Sequence, residues 1–219
     1  MSAMDFWRQF DLVRPGEDLM FPVTVIGCGG IGSPTAMALC KMGCSDVTVI
    51  DDDSVEVHNL PSQVYRIGDI GSTKVAALAS ILQDFSGVDV KTKHERVTGA
   101  TALAGVVVSG VDSMSARAEI WKAVKYKPAI DLYVDARMGA EVMRIYTVRP
   151  TNPEEVAAYE GMLYPDDEAQ QLPCTGRAII YNVFAISSLV ASQIKKHARG
   201  EEFPFEIIFD LASLTIITN

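Results

Sequence analysis

The sequence has little cysteine and no cluster of positive charge, and each shortage excludes a class of protein. Its four cysteines form no CxxC pair, so we expect reduced thiols and no structural zinc. A formal net charge of −9 without a lysine or arginine block disfavours binding to DNA, RNA and anionic membranes. Polar residues interrupt the longest apolar stretch, and the N-terminus has no basic start before an apolar run. We therefore predict a soluble, cytoplasmic protein with no nucleic-acid or membrane partner.

What the sequence does contain is an alternation of short apolar runs with amphipathic segments. The predicted strands cover residues 23–26, 47–50, 88–93, 104–108, 132–136, 141–148, 205–209 and 214–217. The predicted helices cover residues 33–42, 73–85, 113–125 and 179–199. This order predicts an α/β fold: a doubly wound, mostly parallel, Rossmann-like sheet that binds ligands at the carboxyl ends of its strands, closed by a small C-terminal strand pair.

A glycine-rich turn, VTVIGCGGIG, joins the first predicted strand to the first helix. Gly27, Gly29 and Gly32 fit the spacing GxGxxG, with Gly30 inside it, and missing side chains let a phosphate approach the backbone at a helix N-terminus. Asp51 follows Gly32 by 19 residues, at the end of the second strand, where a carboxylate can accept hydrogen bonds from ribose hydroxyls. The two features together predict a nucleotide site.

More polar residues follow that acid than a plain dinucleotide site needs. Asp53 belongs to the same acidic cluster, and Asn59 and Gln63 can fix a sugar or phosphates by neutral hydrogen bonds. Arg66 and Lys74 are cations suited to phosphate oxygens. We interpret the whole group as nucleotide-binding, with chemistry taking place on the phosphates.

Five segments, in order over residues 20–150, carry a resemblance to a known family. They are VIGCGGIGSP, DDDSVEVHNL followed by PSQ, IGSTKVAAL, GVDSMSAR and YVDARMGAEVMRIYTVRP. The chain resembles the family that includes ThiF, MoeB, HesA and the adenylation domain of ubiquitin-activating enzymes. The resemblance implies an adenylyltransferase that uses ATP and Mg²⁺ to activate the C-terminal glycine carboxylate of a small ubiquitin-fold carrier protein.

The resemblance also implies roles for single residues: Asp51 would bind the ribose, Lys74 the phosphates, and Asp112 the magnesium ion. Asp112 follows a predicted buried strand at the carboxyl edge of the sheet, and its alternative role is capping the next helix. A carboxylate and a triphosphate repel each other, so cations must cancel that repulsion. We therefore interpret Lys74, Arg66 and Asp112 as catalytic residues.

Cys174 lies in the polar segment 150–177, in PCTGR, which is similar to the surroundings of the nucleophile of ubiquitin-activating enzymes. Arg177 nearby would favour the reactive thiolate. Two interpretations stay open: a catalytic nucleophile that forms a thioester, and an incidental or buried thiol.

Two positions depart from the family pattern. Ser62 stands where relatives usually have an arginine that touches the triphosphate, and Ser109 stands where many have an aspartate. Arg66 is a candidate replacement for the missing arginine. A non-catalytic, partner-binding relative is therefore one alternative, and an NAD(P)-dependent oxidoreductase is another, although it leaves Lys74 and Asp112 without a task.

We predict one ThiF-type adenylation domain over residues 1–219, with an N-terminal arm (1–20), a nucleotide-binding core (21–149), a crossover loop (150–177) and a C-terminal helix with strands (178–219). The family resemblance and the apolar helix near residues 180–190 predict a homodimer.

Overall fold

The computed structural model describes residues 4–165 and 179–219, and the strands of these residues form one eight-stranded sheet in the order β3-β2-β1-β4-β5-β6-β7-β8. The strands are β1 (Val23–Ile26), β2 (Val47–Ile50), β3 (Lys91–Lys93), β4 (Gly105–Ser109), β5 (Ile130–Gly139), β6 (Val142–Val148), β7 (Glu206–Asp210) and β8 (Thr215–Thr218). The helices are α1 (Pro15–Asp18), α2 (Gly32–Met42), α3 (Lys74–Ser86), α4 (Met114–Val124), α5 (Pro153–Glu160) and α6 (Ile180–Ala198).

The sheet has a parallel half and an antiparallel half. Strands β1 to β5 pair in parallel, with β1 between β2 and β4. Strands β5 to β8 continue the same sheet as antiparallel neighbours. This topology confirms the predicted doubly wound fold. The closing strand pair is also confirmed, and it extends the main sheet rather than standing apart from it.

Helices cover both faces of the sheet, and the side chains of its central strands alternate between two cores. On β5, Leu132 and Val134 pack into the core that α2, α3 and α6 share, whereas Tyr133 points into the core beneath α4 and α5. Strand β3 is shorter than predicted, since only its last three residues pair with β2 and all three are exposed.

Helix α5 was not predicted and begins the segment that the sequence analysis treated as a loop. Asn152 caps it by accepting hydrogen bonds from the backbone N–H groups of Glu154 and Glu155, and Pro153 occupies its first position. Val156 and Tyr159 anchor it in the core. The sequence analysis missed this helix because it interpreted the polar composition of the segment as that of a loop.

The long helix α6 is half-buried. One face packs Val183, Ile186 and Val190 into the core, while Tyr181 and Phe184 on another face are exposed. Within the described ranges, the structure contains no helix with the length and apolar character needed to cross a membrane.

Candidate active site

The carboxyl ends of β1, β2 and β4 meet where the direction of strand order reverses. Gly27, directly after β1, has a φ of +83°, and a Cβ there would lie 2.9 Å from the carbonyl carbon of Gly110, which follows β4. The two turns thus touch through their backbones. This is the position at which doubly wound sheets bind ligands.

The remaining glycines of the turn differ in how much space the structure leaves for a side chain. A Cβ on Gly32 would lie 1.8 Å from the carbonyl oxygen of Gly27, and one on Gly30 would lie 3.1 Å from the carbonyl oxygen of Ser62. A Cβ on Gly29 would meet only the Gln63 side chain, at 3.8 Å. Packing therefore requires Gly32 but does not require Gly29, whose bare backbone stays open to a ligand.

Asp51 braces the glycine turn. Its side chain is buried, and its two carboxylate oxygens accept hydrogen bonds from the backbone N–H of Cys28 at 2.6 Å and of Asp53 at 2.8 Å. Each carboxylate oxygen has a second lone pair, so the predicted contact with ribose hydroxyls remains chemically available. The bracing role escaped the sequence analysis, because a backbone partner leaves no residue-type signal.

Lys74 begins α3, and its Nζ forms an ion pair with Asp53 Oδ2 at 2.7 Å. The lysine side chain is 9% exposed and the aspartate side chain 64% exposed. Burial lowers the pKa of Lys74, but the hydrogen bond to Asp53 and the charge of Asp51 outweigh it, so the net pKa is raised. The site thus presents a fully charged lysine whose counterion is exposed and replaceable by an anion.

Tyr65 connects the glycine turn to α3. Its buried hydroxyl donates to the carbonyl oxygen of Cys28 at 2.7 Å and lies 3.4 Å from the carbonyl oxygen of Lys74. The sequence analysis did not select this residue. Its only signal was a tyrosine beside the predicted site, since a buried tyrosine hydroxyl needs a partner.

Asn59 and Gln63 have different surroundings. The side chain of Asn59 is buried and accepts a hydrogen bond from the backbone N–H of Glu56 at 2.8 Å, which shapes the 3-10 turn Val57–Ser62. Within residues 4–165 and 179–219, the buried Oε1 of Gln63 has no hydrogen-bond partner. Gln63 lies beside Gly29 and keeps unused hydrogen-bonding capacity, whereas Asn59 has a structural task.

The guanidinium of Arg66 is held against α3. It pairs with Asp69 at 3.0 Å and with Asp84 at 2.9 Å. The hydrogen bond that the guanidinium donates to Asp69 is the main cause of the raised pKa of Arg66. A role on phosphates stays a prediction, and it would require this arginine to exchange both carboxylate partners.

Asp112 is exposed, just beyond the contact between the two turns. The capping role falls to Ser113, whose Oγ accepts a hydrogen bond from the N–H of Ala116 at 3.3 Å. The Asp112 carboxylate therefore has no capping task. A single exposed carboxylate suits Mg²⁺, which binds through one or two carboxylates together with waters and substrate phosphates.

A buried ion network anchors the loop that carries this carboxylate. Arg117 donates a hydrogen bond to the carbonyl oxygen of Val111 and pairs with Asp135, which is fully buried in β5. Asp135 also accepts from Arg137 at 2.7 Å and from the Tyr159 hydroxyl at 2.9 Å. Because such a network is costly to break, it fixes the loop at the end of β4.

The three described cysteines are buried and free. Burial raises the pKa of Cys40 to about 11 and that of Cys44 to about 12, and it raises the pKa of Cys28 well above its usual value. None of these thiols is a reactive nucleophile at neutral pH. Cys174 lies outside the described residues.

Comparison with known proteins identifies the family, because residues 20–207 match ThiF. The chain belongs to the ThiF family. It is 28% identical to the sulfur carrier protein ThiS adenylyltransferase of Escherichia coli, over 93% of this chain and 86% of that protein. It is 35% identical to the adenylyltransferase and sulfurtransferase MOCS3 of Anopheles gambiae, over 43% of this chain and 23% of that protein. The chain thus spans less than a quarter of the length of MOCS3.

Solved structures share the fold of this ThiF-family chain. E. coli MccB, crystallised with ATP, superposes with a TM-score of 0.72 at 17% identity and covers 94% of this chain and 65% of MccB. PaaA superposes with a TM-score of 0.71 at 19% identity, over 94% of this chain and 65% of PaaA. These structures confirm the fold predicted from the sequence, and the ThiF match confirms the predicted family.

Proposed function

We propose that this protein uses ATP to adenylate the C-terminal carboxylate of a small ubiquitin-like or sulfur-carrier protein. The observation that carries the proposal is the open backbone at Gly29, in a turn that Tyr65 connects to Lys74 and its exposed counterion, in a ThiF-family sheet. The relative named for adenylating ThiS aligns with nearly the whole chain, which supports a carrier protein as the substrate.

The residues of the site suit this reaction. The turn amides and the N-terminus of α2 would bind phosphate oxygens, and Lys74 would exchange Asp53 for a phosphate. An oxygen of the carrier carboxylate attacks the α-phosphorus, and the bond to the pyrophosphate oxygen breaks. Asp112 would hold a magnesium ion, which when bound shares the charge of the leaving pyrophosphate.

One alternative function keeps a specific observation in its favour. Ser109 stands at a position where many relatives have an aspartate, and it is fully buried in β4. This chain therefore lacks that acid. A non-catalytic partner-binding protein would follow if that acid were needed. The oxidoreductase alternative has less support, because the chain belongs to the ThiF family and a nicotinamide site would leave Lys74 and Asp112 without a task.

The transfer of AMP to a carrier is directly measurable. The protein is incubated with MgATP and small ubiquitin-fold proteins ending in glycine, including E. coli ThiS and candidates encoded near its own gene. Intact mass spectrometry under acidic quench should then detect carrier bearing AMP, and a carrier that lacks its last two residues should remain unmodified. The truncated carrier also ends in a carboxylate, so its equal modification would refute recognition of the C-terminal glycine, and a complete carrier without AMP would refute the adenylation itself.

We further propose that Cys174 receives the activated acyl group. Its thiolate would attack the acyl carbon of the adenylate, form a thioester and release AMP. The low reactivity of the three buried thiols supports Cys174 as the acceptor. A carrier adduct sensitive to dithiothreitol is expected with the native protein and should be lost in Cys174→Ala, which should still form the adenylate. An adduct that survives this substitution would exclude Cys174.

We propose that the protein is a homodimer and that it is located in the cytoplasm. The exposed apolar side chains of Ile179, Tyr181 and Phe184 at the start of α6 support the dimer. Sedimentation velocity should show a dimer for the native protein and a monomer for Phe184→Glu. A native monomer at micromolar concentration would contradict the dimer. Cell fractionation would test the location.

A further inference from the structure

The two peptide bonds that flank Cys28 are each held by one side chain. The N–H of Cys28, in the peptide bond with Gly27, donates to Asp51, and the carbonyl oxygen of Cys28, in the peptide bond with Gly29, accepts from the Tyr65 hydroxyl at 2.7 Å. Cys28 is fully buried, so these polar groups depend on the two side chains for their hydrogen bonds.

This arrangement determines the direction of the next N–H group. A trans peptide is planar, and its C=O and N–H point in opposite directions. Fixing the carbonyl of Cys28 towards Tyr65 therefore fixes the N–H of Gly29 on the opposite side. In the described part of the chain, that N–H donates to no protein group. It is a pre-oriented donor without an acceptor.

The need for an external brace follows from the residue. Glycine samples backbone angles that other residues avoid, so the turn alone does not hold this peptide in one orientation. Packing does not restrain Gly29 either, since an added Cβ would contact only Gln63. The Tyr65 hydroxyl supplies the missing restraint and, through its approach to the carbonyl of Lys74, ties the turn to the start of α3.

We propose that Tyr65 is a positioning residue whose hydroxyl orients the Gly29 N–H towards a phosphate group of the bound nucleotide. This inference rests on the proposed function and adds to it a residue that acts through the backbone. Burial raises the pKa of Tyr65, with a further increase from the charge of Asp51, so the hydroxyl stays protonated and remains a donor.

Tyr65→Phe removes the brace and keeps the ring. Calorimetric titration with ATP and with adenosine separates a phosphate effect from a general one. We expect Tyr65→Phe to bind ATP roughly tenfold more weakly, the scale of one lost hydrogen bond to an ionised group, and to bind adenosine as the native protein does. The matched control is Tyr146→Phe. Tyr146 is also a buried tyrosine, and its hydroxyl accepts a hydrogen bond from Arg144 at 3.3 Å. This variant should bind both ligands normally.

A second measurement uses the native protein and does not depend on how the variant folds. In ¹⁵N NMR spectra, the amide proton of Gly29 should shift downfield on addition of ATP and stay in place with adenosine. The proposed role of Tyr65 would be overturned by unchanged ATP affinity in folded Tyr65→Phe, or by an equal loss of affinity for ATP and adenosine. It would also be overturned if the Gly29 amide signal did not move when ATP is added. These results would leave the nucleotide site itself in place. Failure of the native protein to bind ATP would instead refute the nucleotide site itself.

Discussion

Gly29→Ala is expected to leave the protein folded and to abolish its binding of ATP. A Cβ at this position meets only the Nε2 atom of Gln63, at 3.8 Å, which is an ordinary contact. The methyl group would nevertheless occupy the space in which the proposal puts a phosphate against the backbone. Thermal unfolding should show a melting temperature close to that of the native protein, whereas calorimetry should show no heat of ATP binding.

Gly32→Ala is the matched control, and it should fail for a different reason. Its Cβ would lie 1.8 Å from the carbonyl oxygen of Gly27, so the strand-to-helix turn cannot close. We expect a large loss of stability or no soluble protein. If Gly29→Ala bound ATP with native affinity, the phosphates could not lie on the turn, and the geometric basis of the proposed function would be lost.

Lys74→Ala should reduce ATP–pyrophosphate exchange by roughly 10²-fold or more, the usual cost of removing a preorganised group that stabilises transition-state charge. Lys74 is a buried cation at the first position of α3, and Asp53 is its exposed counterion. The substitution leaves Asp53 in water, so the fold should tolerate it. Exchange rates at saturating carrier and circular dichroism spectra provide the comparison.

The control for charge is Lys122→Ala, which removes an exposed lysine that pairs with Glu119 on the surface of α4. It should retain native exchange, because surface ion pairs contribute little. Nearly native exchange in Lys74→Ala would show that another cation carries the phosphate chemistry. Arg66 would then be the next residue to test.

The sequence predicted the sheet well because strand and helix periods differ clearly over most of the chain. The glycine spacing and the acid after β2 likewise indicated residues that the structure brings together, since the Asp51 side chain accepts from the backbone N–H of Cys28 within the glycine turn. Helix α5 was missed because its polar face dominated the segment, and only two of its residues, Val156 and Tyr159, are buried.

The hydrogen-bond and ion-pair partners of the candidate site residues were harder to predict than the residues themselves. Arg66 pairs with Asp84, 18 residues further along the chain, and Tyr65 reaches back 37 residues to Cys28. Such contacts depend on how α3 packs against the glycine turn, and no local pattern encodes them. The sequence therefore indicated which residue types gather at this edge, while their pairing emerged only from the tertiary structure.

The central claim, that this site transfers AMP to a carrier carboxylate, is tested most directly by ATP–pyrophosphate exchange. The protein is assayed with MgATP, labelled pyrophosphate and a ubiquitin-fold carrier to which it binds. The account predicts label entering ATP only when the carrier has its C-terminal glycine. Stable carrier binding without any exchange would contradict it and would identify the protein as a non-catalytic binding partner.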